Sequence, residues 1–565
     1  MSVDATSADG LSIVKGPPLS EEPGLGTLTL PGFLREVTER YAGREALVMH
    51  TPGGVVRWSY KDLWDRSVEV ARALIACGVG KDSRVGVLMT NRPEWIAAAF
   101  GVNLAGGVFV SLSTFSTQPE LEYLLQASGI STLLLERNVG KRDFTGVLCD
   151  LEPDLLKAKP GKLASNKFPF LRRVAVVDDP APSGAMESWS AFLAHGASIA
   201  PGLVDEIAAS VKPSDTAALF FSSGSTAKPK GIFSAHRGIA TQCWRMKRLY
   251  ALGEDTRCWM ANAFFWSGNF ATAMGATLAA GGSLILQGMF NPVEALELMQ
   301  KERVTYPVAW PHQWAQLAGA PNWNDVDLSS LRYVDPSCAL TKHPTVRPPE
   351  WREPKWTYGN TETFTFATSY PCDTPPQITG DSHGEALPGN TVKIVDPATG
   401  AILPRGERGE IAVKGPTLML GYLGKTPDET FDQDGFFATG DGGYIDDKNR
   451  LVWEGRLNDI IKTGGANVSP LEIDAALVPY PGVKAAKTVG VPHETLGEMV
   501  VACIVPHEGA TLSEDGVREF LKAHLASYKV PRRVLFFEEK DLALTGSSKI
   551  KTSDLRELAA KRLGA

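Results

Sequence analysis

Through the first 380 residues, short uninterrupted apolar runs alternate with stretches whose apolar positions recur at helical spacing. RVGVLMT at 84–90 is bounded by charge before it and by Asn-Arg-Pro after it, and predicts a buried strand. Residues 93–104 have helical spacing, a Gly-Gly break follows, and VFVSL at 108–112 resumes as a strand. Strand, helix, strand in that order predicts a parallel α/β unit, because parallel neighbours need a crossover connection. STLLLE at 131–136 and RRVAVVD at 172–178 predict further strands. Residues 217–221 predict another that runs directly into a loop of Gly, Ser, Thr and Lys. Layers of this kind hold ligands at strand ends.

Beyond about residue 380 the texture changes. TVKIVDPATGAILPRGERGEIAVKG reads as strands joined by Asp-Pro and Gly turns, and GYIDDKNRLVWEGR as a hairpin around 446–449. The last stretch mixes strands (AKTVGVP, MVVACIVP, RRVLFF) with helices such as 517–526. The fold class expected is therefore α/β, with a large domain of layered α/β subdomains over 1–457 and a small α+β domain over 458–565.

Composition narrows the function. The 565 residues carry 64 acidic and 57 basic side chains, a net charge of −7, which argues against general binding to nucleic acid or anionic lipid. No run approaches the roughly 18 apolar residues of a membrane span. The first 26 residues lack a basic-then-apolar signal pattern and read as a polar, flexible lead-in. Seven scattered cysteines with no Cys-x-x-Cys pair read as reduced core thiols, so a cytoplasmic enzyme is expected.

Residues 222–231, SSGSTAKPKG, crowd hydroxyls, glycines and two lysines behind a predicted strand. Backbone N–H groups of such a loop can converge on an anion, with hydroxyls as further donors and lysine as a full charge. The spacing does not fit a P-loop NTPase, and a solvated surface loop is the plain alternative. The segment resembles the phosphate loop of the adenylate-forming superfamily: acyl- and aryl-CoA ligases, peptide-synthetase adenylation domains and beetle luciferases. Ser222, Ser223, Gly224, Ser225, Thr226 and Lys230 fall on its pattern, [ST]-S-G-[ST]-T-G-x-P-K-G, while Ala227 stands where glycine is usual. Further segments follow in the family's order. Tyr358-Gly359-Asn360-Thr361-Glu362 resembles Y-G-x-T-E, and FATGD at 437–441 resembles the T-G-D segment. GRLNDIIKTGG at 455–465 with VSPLEI at 468–473 resembles G-R-x-x-D-x-I-K-x-x-G…V-x-P-x-E-I, and 527–557 resembles the stretch that ends in the catalytic lysine. The resemblance covers about residues 30–560.

The resemblance implies that a carboxylate attacks the α-phosphate of ATP, that pyrophosphate leaves, and that Mg2+ and coenzyme A are needed, the latter as second substrate. It assigns Glu362 to the metal and Thr361 to a phosphate, where residues alone would also allow a helix start with a first-turn acid. Tyr358, with Gly359 and Asn360, is placed at adenine, together with Ser337, Cys338 and Ala339 after a strand at 331–334. Asp441 suits the ribose hydroxyls, because a carboxylate only accepts, and Arg456 suits ribose or phosphate; a turn aspartate and a hairpin-end arginine are the alternatives. Lys549 is the lysine of adenylation, although Ser548 and Ala543 replace the family's glycine and proline. Asn458 falls on the hinge, and Lys462, Gly464 and Gly465 fall beside the tunnel for the CoA thiol.

Trp266 occupies the place of an aromatic gate, often histidine, at the carboxylate site. Trp310, His312 and Trp314, with Tyr333, Phe364 and Phe366, are candidates for an apolar or aromatic acyl pocket. No aspartate lies between 262 and 272, which disfavours an α-amino acid. The reading is an ATP-dependent acid–CoA ligase for a hydrophobic fatty or aryl-substituted carboxylate. Alternatives are an acyl-AMP ligase that loads a carrier protein's phosphopantetheine and a luciferase-like monooxygenase. The partners expected are the carboxylate, ATP and CoA, with no nucleic acid and no membrane span; a homodimer is left open.

Overall fold

The buried strands of the first half assemble as their crossovers require. A computed structural model describes residues 10–177, 184–222, 229–347, 350–354, 356–457, 461–463, 466–494, 496–525, 529–538 and 552–564. It divides into two compact units, one of Lys15–Thr391 with Val413–Phe437, the other of Met1–Val14 with Val392–Ala412 and Ala438–Ala565.

The larger unit includes helix α1 (Leu30–Arg40) and, among its sheets, two large ones. In the first, strands Met186–Ser188, Arg173–Val176, Thr132–Leu135, Arg84–Leu88 and Val108–Ser111 lie parallel and are joined by strand β1 (Thr216–Ser222). The sheet then turns antiparallel through β2 (Lys230–Ala235) and the two-residue strand Gly421–Tyr422. The phosphate-loop motif is thus the tip of a hairpin, not a strand-to-helix turn, and helix α2 (His236–Leu249) starts only after β2. The second sheet runs Tyr306–Val308, Arg257–Met260, Ser283–Leu286 and Glu45–Thr51 in parallel, with Gly54–Ser59 antiparallel at its edge.

Helix Pro93–Leu104 is apolar on nearly every face, and all its residues except Glu94 are buried. A helix hydrophobic all round belongs inside a core. Trp95 sits among Phe109 and Phe264 at 5.3 Å each, and Phe220 reaches Phe270 at 6.1 Å and Phe364 at 5.5 Å. This aromatic cluster backs β1, so the strand that leads into the loop stands on close-packed, well-ordered rings.

The smaller unit holds a five-stranded sheet that includes Ile13–Lys15, Thr391–Val395, Gly409–Lys414, β3 (Phe437–Ile445) and β4 (Leu451–Arg456). Its second sheet is built on the hairpin Val483–His493 with Gly497–Pro506, and Arg533–Phe536 adds in parallel.

Three expectations need correction. No strand forms at 331–334: Arg332 and Tyr333 N–H both donate to the one carbonyl of Thr305, and a single acceptor does not make a ladder. The helix expected at 517–526 spans Glu514–Lys522, because Ser513 caps it and two acids fill its first turn. The lead-in is ordered from residue 11 on: Ile13–Lys15 pairs in a sheet, and Glu22 is buried against Arg245 at 2.8 Å.

His236 starts α2 and lies buried. Its Nδ1 accepts from the Leu30 N–H at 3.2 Å, which caps α1 and requires a neutral ring. Burial pushes its pKa down to about 3. The unfolded chain, with an ordinary histidine, binds more protons between those values, so stability is complete above about pH 6.5 and is lost as pH falls towards 3. The slope is at most about 1.4 kcal/mol per pH unit. His236→Gln is expected to flatten this part of the profile, read as urea midpoints at pH 5 and pH 7.5. An unaltered difference between the two midpoints would remove His236 from the account.

Candidate active site

At the hairpin tip, Ser222 pairs in register with Lys230, so the chain leaves and re-enters the sheet at one point. Tyr123 donates its hydroxyl to the Pro229 carbonyl at 3.1 Å and fixes the returning end. Ser223, Gly224, Ser225 and Thr226 lie outside the described residues.

The Tyr358–Asn360 strand pairs antiparallel with Thr365–Ser369, and the turn between them carries Thr361 and Glu362. Asn360 and Thr363 build it reciprocally. The Asn360 N–H donates to Thr363 Oγ1 at 3.0 Å, and the Thr363 N–H donates to Asn360 Oδ1 at 2.9 Å. The backbone after Glu362 is strained: Phe364 and Thr365 sit at φ +45° and +85°. A β-branched residue there costs of the order of 1–3 kcal/mol and persists only where its surroundings hold it. Gly359 faces the crossing backbone, and a Cβ there would lie 1.7 Å from the Thr365 carbonyl oxygen. Gly359→Ala is therefore expected to unpair this short hairpin and to reduce adenylate formation at least tenfold, measured as pyrophosphate release. Wild-type rates in that variant would mean the turn tolerates being moved.

Glu362 is held from two sides. Its carbonyl accepts from the Met419 N–H at 2.7 Å, and its Oε1 accepts from the Tyr422 hydroxyl at 2.7 Å. Lys230 and Lys425 place their ammonium groups 5.4 and 5.8 Å from the centre of the Tyr422 ring. Lys230 and the candidate carboxylate thus meet on a tyrosine that lies 60 residues beyond Glu362 in sequence. Tyr358 is buried. Ser337, Cys338 and Ala339 follow Asp335, whose Oδ1 accepts from the Ser337 N–H at 2.9 Å and its hydroxyl at 2.5 Å. Burial pushes the Cys338 thiol up to about 11, which disfavours the thiolate.

Trp266 and Trp310 follow the carboxyl ends of Arg257–Met260 and Tyr306–Val308. Trp266 buries its Nε1 with no hydrogen-bond partner among the described residues. Trp310 packs on His312 with ring centres 5.9 Å apart, and Trp314 lies against the neighbouring core. Phe364 is inside the aromatic cluster, 1% exposed. Tyr333 does not join this set. Its hydroxyl donates to Asp255 Oδ1 at 3.1 Å, at the amino ends of the same strands. Those ends frame a cavity of about 680 Å3 whose lining includes Arg44, Glu45, Arg257, Glu302 and Arg332. Ion pairs such as Arg257 to Glu45 at 2.8 Å cross it, and no candidate site residue lines it.

In the smaller unit, Asp441 and Arg456 face each other across β3 and β4 in register. Arg456 Nε lies 3.1 Å from Asp441 Oδ1; the carboxylate is 6% exposed and the arginine 54%. Thr439 aims the turn by donating to the Ile411 carbonyl at 2.7 Å and accepting from the Asp441 N–H at 3.2 Å. Gly440 has φ +73° and gives its N–H to Glu410 at 2.8 Å. Lys462 is exposed on a short strand whose N–H donates to Glu498 at 2.8 Å. Asn458, Gly464, Gly465 and Lys549 lie outside the described residues.

Residues 34–423 match the AMP-binding enzyme family, and 472–549 match the AMP-binding enzyme C-terminal domain. The chain belongs to the AMP-binding enzymes. Among curated relatives of this AMP-binding enzyme is the putative acyl-CoA synthetase YngI of Bacillus subtilis, 28% identical over 94% of this chain and 96% of that protein. The indoleacetate–CoA ligase of Aromatoleum aromaticum is 30% identical over 94% and 98%. Among solved structures, ATP-bound MatB from Rhodopseudomonas palustris superposes with a TM-score of 0.71 at 25% identity, covering 95% of this chain and all of that one. Thr363, Tyr422 and Lys425 had not stood out in the sequence. An Asn and a Thr three residues apart were the available sign of the first; nothing local marked the other two.

Proposed function

We propose that this enzyme is an ATP-dependent acid–CoA ligase. It activates a hydrophobic carboxylate, aliphatic or aryl-substituted, as acyl-AMP with release of pyrophosphate, and then passes the acyl group to the CoA thiol. The observation that carries the reading is the meeting of Glu362 and Lys230 on Tyr422 beside the Ser/Gly loop, in a chain of the AMP-binding family. A single carboxylate with an open oxygen suits magnesium, which keeps waters and binds through one or two carboxylates plus substrate phosphates. An ion held there would supply screening of phosphate charge. Glu362 is the residue to hold it.

The chain's own groups do the rest. Lys230 and the hydroxyls of Ser222, Ser223, Ser225 and Thr226 cradle the phosphates, with Gly224 admitting close approach, and Thr361 donates to one of them. Tyr358 and the small residues 337–339 enclose adenine, and Asp441 with Arg456 takes the ribose. Lys549 bridges the substrate carboxylate and the α-phosphate as charge shifts between them. Such catalysis is mainly alignment and preorganised charge. Trp266 offers its unpaired indole N–H at the carboxylate end, and Trp310, Trp314 and Phe364 supply apolar wall.

The last domain, from 458, turns at Asn458 between the two half-reactions and brings Gly464 and Gly465 to the pantetheine. Gly464→Leu is then expected to block thioester formation and spare adenylation; equal loss of both would count against the hinge. Seven free thiols agree with a cytoplasmic location, and among the described residues no helix is long and apolar enough to cross a membrane.

The test is mass spectrometry of products from ATP, magnesium and pooled fatty, arylalkanoic and cinnamic acids, with and without CoA. An acyl-CoA peak with AMP is expected. Acyl-AMP that accumulates unaltered by CoA would move the acceptor to a carrier protein, and light with oxygen uptake would move it to a luciferase-like reaction.

A further inference from the structure

We infer that Tyr422 is a positioning residue: it sets the Glu362 carboxylate for a metal–nucleotide complex and gathers Lys230 and Lys425 at the exit of the phosphate loop. The inference rests on the reading of Glu362 as the metal-holding carboxylate.

Sheet geometry explains the assembly. Tyr422 pairs with Ile232 on β2, and Lys230 is two residues before Ile232. Residues two apart on a strand share a face, and a diagonal cross-strand neighbour is within reach of a long side chain. Lys230 therefore meets the Tyr422 ring by register, not by chance. Lys425 comes to the same ring from the following turn, where its N–H donates to the Tyr422 carbonyl at 3.2 Å. Phe437 packs on the tyrosine with ring centres 6.1 Å apart and limits its freedom.

The charge pattern points to an anion. Among the described residues neither Lys230 nor Lys425 pairs with a carboxylate within 4.0 Å. Tyr422 engages the Glu362 carboxylate, and its hydroxyl occupies Oε1. Oε2 has no hydrogen-bond partner among the described residues. An aromatic face attracts two ammonium groups without neutralising them, so their charge stays available to phosphate oxygens. The same ring's hydroxyl fixes one carboxylate oxygen and leaves the other to a cation. Such outer partners of a metal ligand typically govern metal affinity by 10–100-fold. One side chain thus serves both halves of a magnesium–triphosphate: its metal and its oxygens. Lys425 becomes a second phosphate-facing lysine beside Lys230.

Binding without turnover tests this. Calorimetry of the full-length protein uses α,β-methylene-ATP, whose α–β bridge does not break, with and without magnesium. Tyr422→Phe keeps the ring and the packing on Phe437. It is expected to bind the metal-free analogue within about twofold of wild type, to melt at the same temperature, and to lose about tenfold of the gain that magnesium confers. Lys425→Ala is expected to weaken metal-free binding severalfold and to keep the magnesium gain. A full magnesium gain in Tyr422→Phe overturns the inference, as does a fall in its melting temperature with an unaltered gain. Glu362→Gln separates the two layers. If it retains the gain, the reading of Glu362 fails and takes the inference with it. If Glu362→Gln loses the gain and Tyr422→Phe keeps it, only the role of Tyr422 fails.

Discussion

Lys549→Ala is expected to lower acyl-adenylate formation by on the order of 10²–10³, the usual loss when one preorganised donor is withdrawn from developing charge. The carboxylate and the α-phosphate are both anionic, and their approach is opposed until a positive group stands between them. A lysine ammonium is compact enough to do this as a point charge. The effect belongs in kcat, because on the proposed assignment the lysine acts on the charge that shifts during attack and not on nucleotide binding. Pyrophosphate release at saturating ATP and acid therefore reports the loss, while KM for ATP stays within a few-fold. Premade acyl-AMP supplied with CoA should still give thioester at near wild-type rate, since that step involves no attack on phosphorus. Lys549→Arg is expected to recover only part of the rate, because a planar fork does not replace a point charge. Unaltered pyrophosphate release in Lys549→Ala would remove this lysine from the reaction.

Residues whose partners are near in sequence were legible. The strand, helix and strand of 84–112 follow from apolar spacing alone and form as expected. The Gly of Y-G-N-T-E was visible as a motif, and the Thr365 carbonyl 1.7 Å from its absent Cβ supplies the reason. Long-range pairing was not legible. Glu362 and Tyr422 meet because Gly421–Tyr422 adds to the edge of β2, and an edge strand of two residues leaves no periodic trace. Tyr333 was grouped with the acyl pocket as one more aromatic candidate for its wall. The structure places its hydroxyl on Asp255, at the other end of the strands from Trp266. The direction in which an aromatic faces along a sheet is not encoded in its spacing.

The lead-in is the sharpest case, and it yields the second large effect. Glu22 is polar and lies among Pro, Ser and Gly, so composition reads it as solvated. Its side chain is fully buried, as is that of Arg245, with which it pairs at 2.8 Å. Arg245 also donates to the Pro388 carbonyl at 2.8 Å, and its neighbour Gln242 donates to the Phe366 carbonyl at 2.8 Å. The pair thus ties the lead-in and α2 to the segment that follows the Thr361–Glu362 turn. Burial pushes the Arg245 guanidinium pKa down, and the charge of Glu22 opposes that shift. Glu22→Gln removes the opposing charge and leaves a buried cation. That is expected to cost about 3–5 kcal/mol, the usual consequence of breaking a buried pair from one side. It would appear as a lower urea midpoint for the first unfolding transition, the appropriate reading for a chain of more than one unit. The double variant Glu22→Leu, Arg245→Met is expected to recover most of the loss, because removing both charges also removes their desolvation. It recovers less than all, since the Pro388 carbonyl loses its donor. A single variant within about 0.5 kcal/mol of wild type, the range of an ordinary surface change, would show that water reaches Arg245 and that the lead-in does not seal this face.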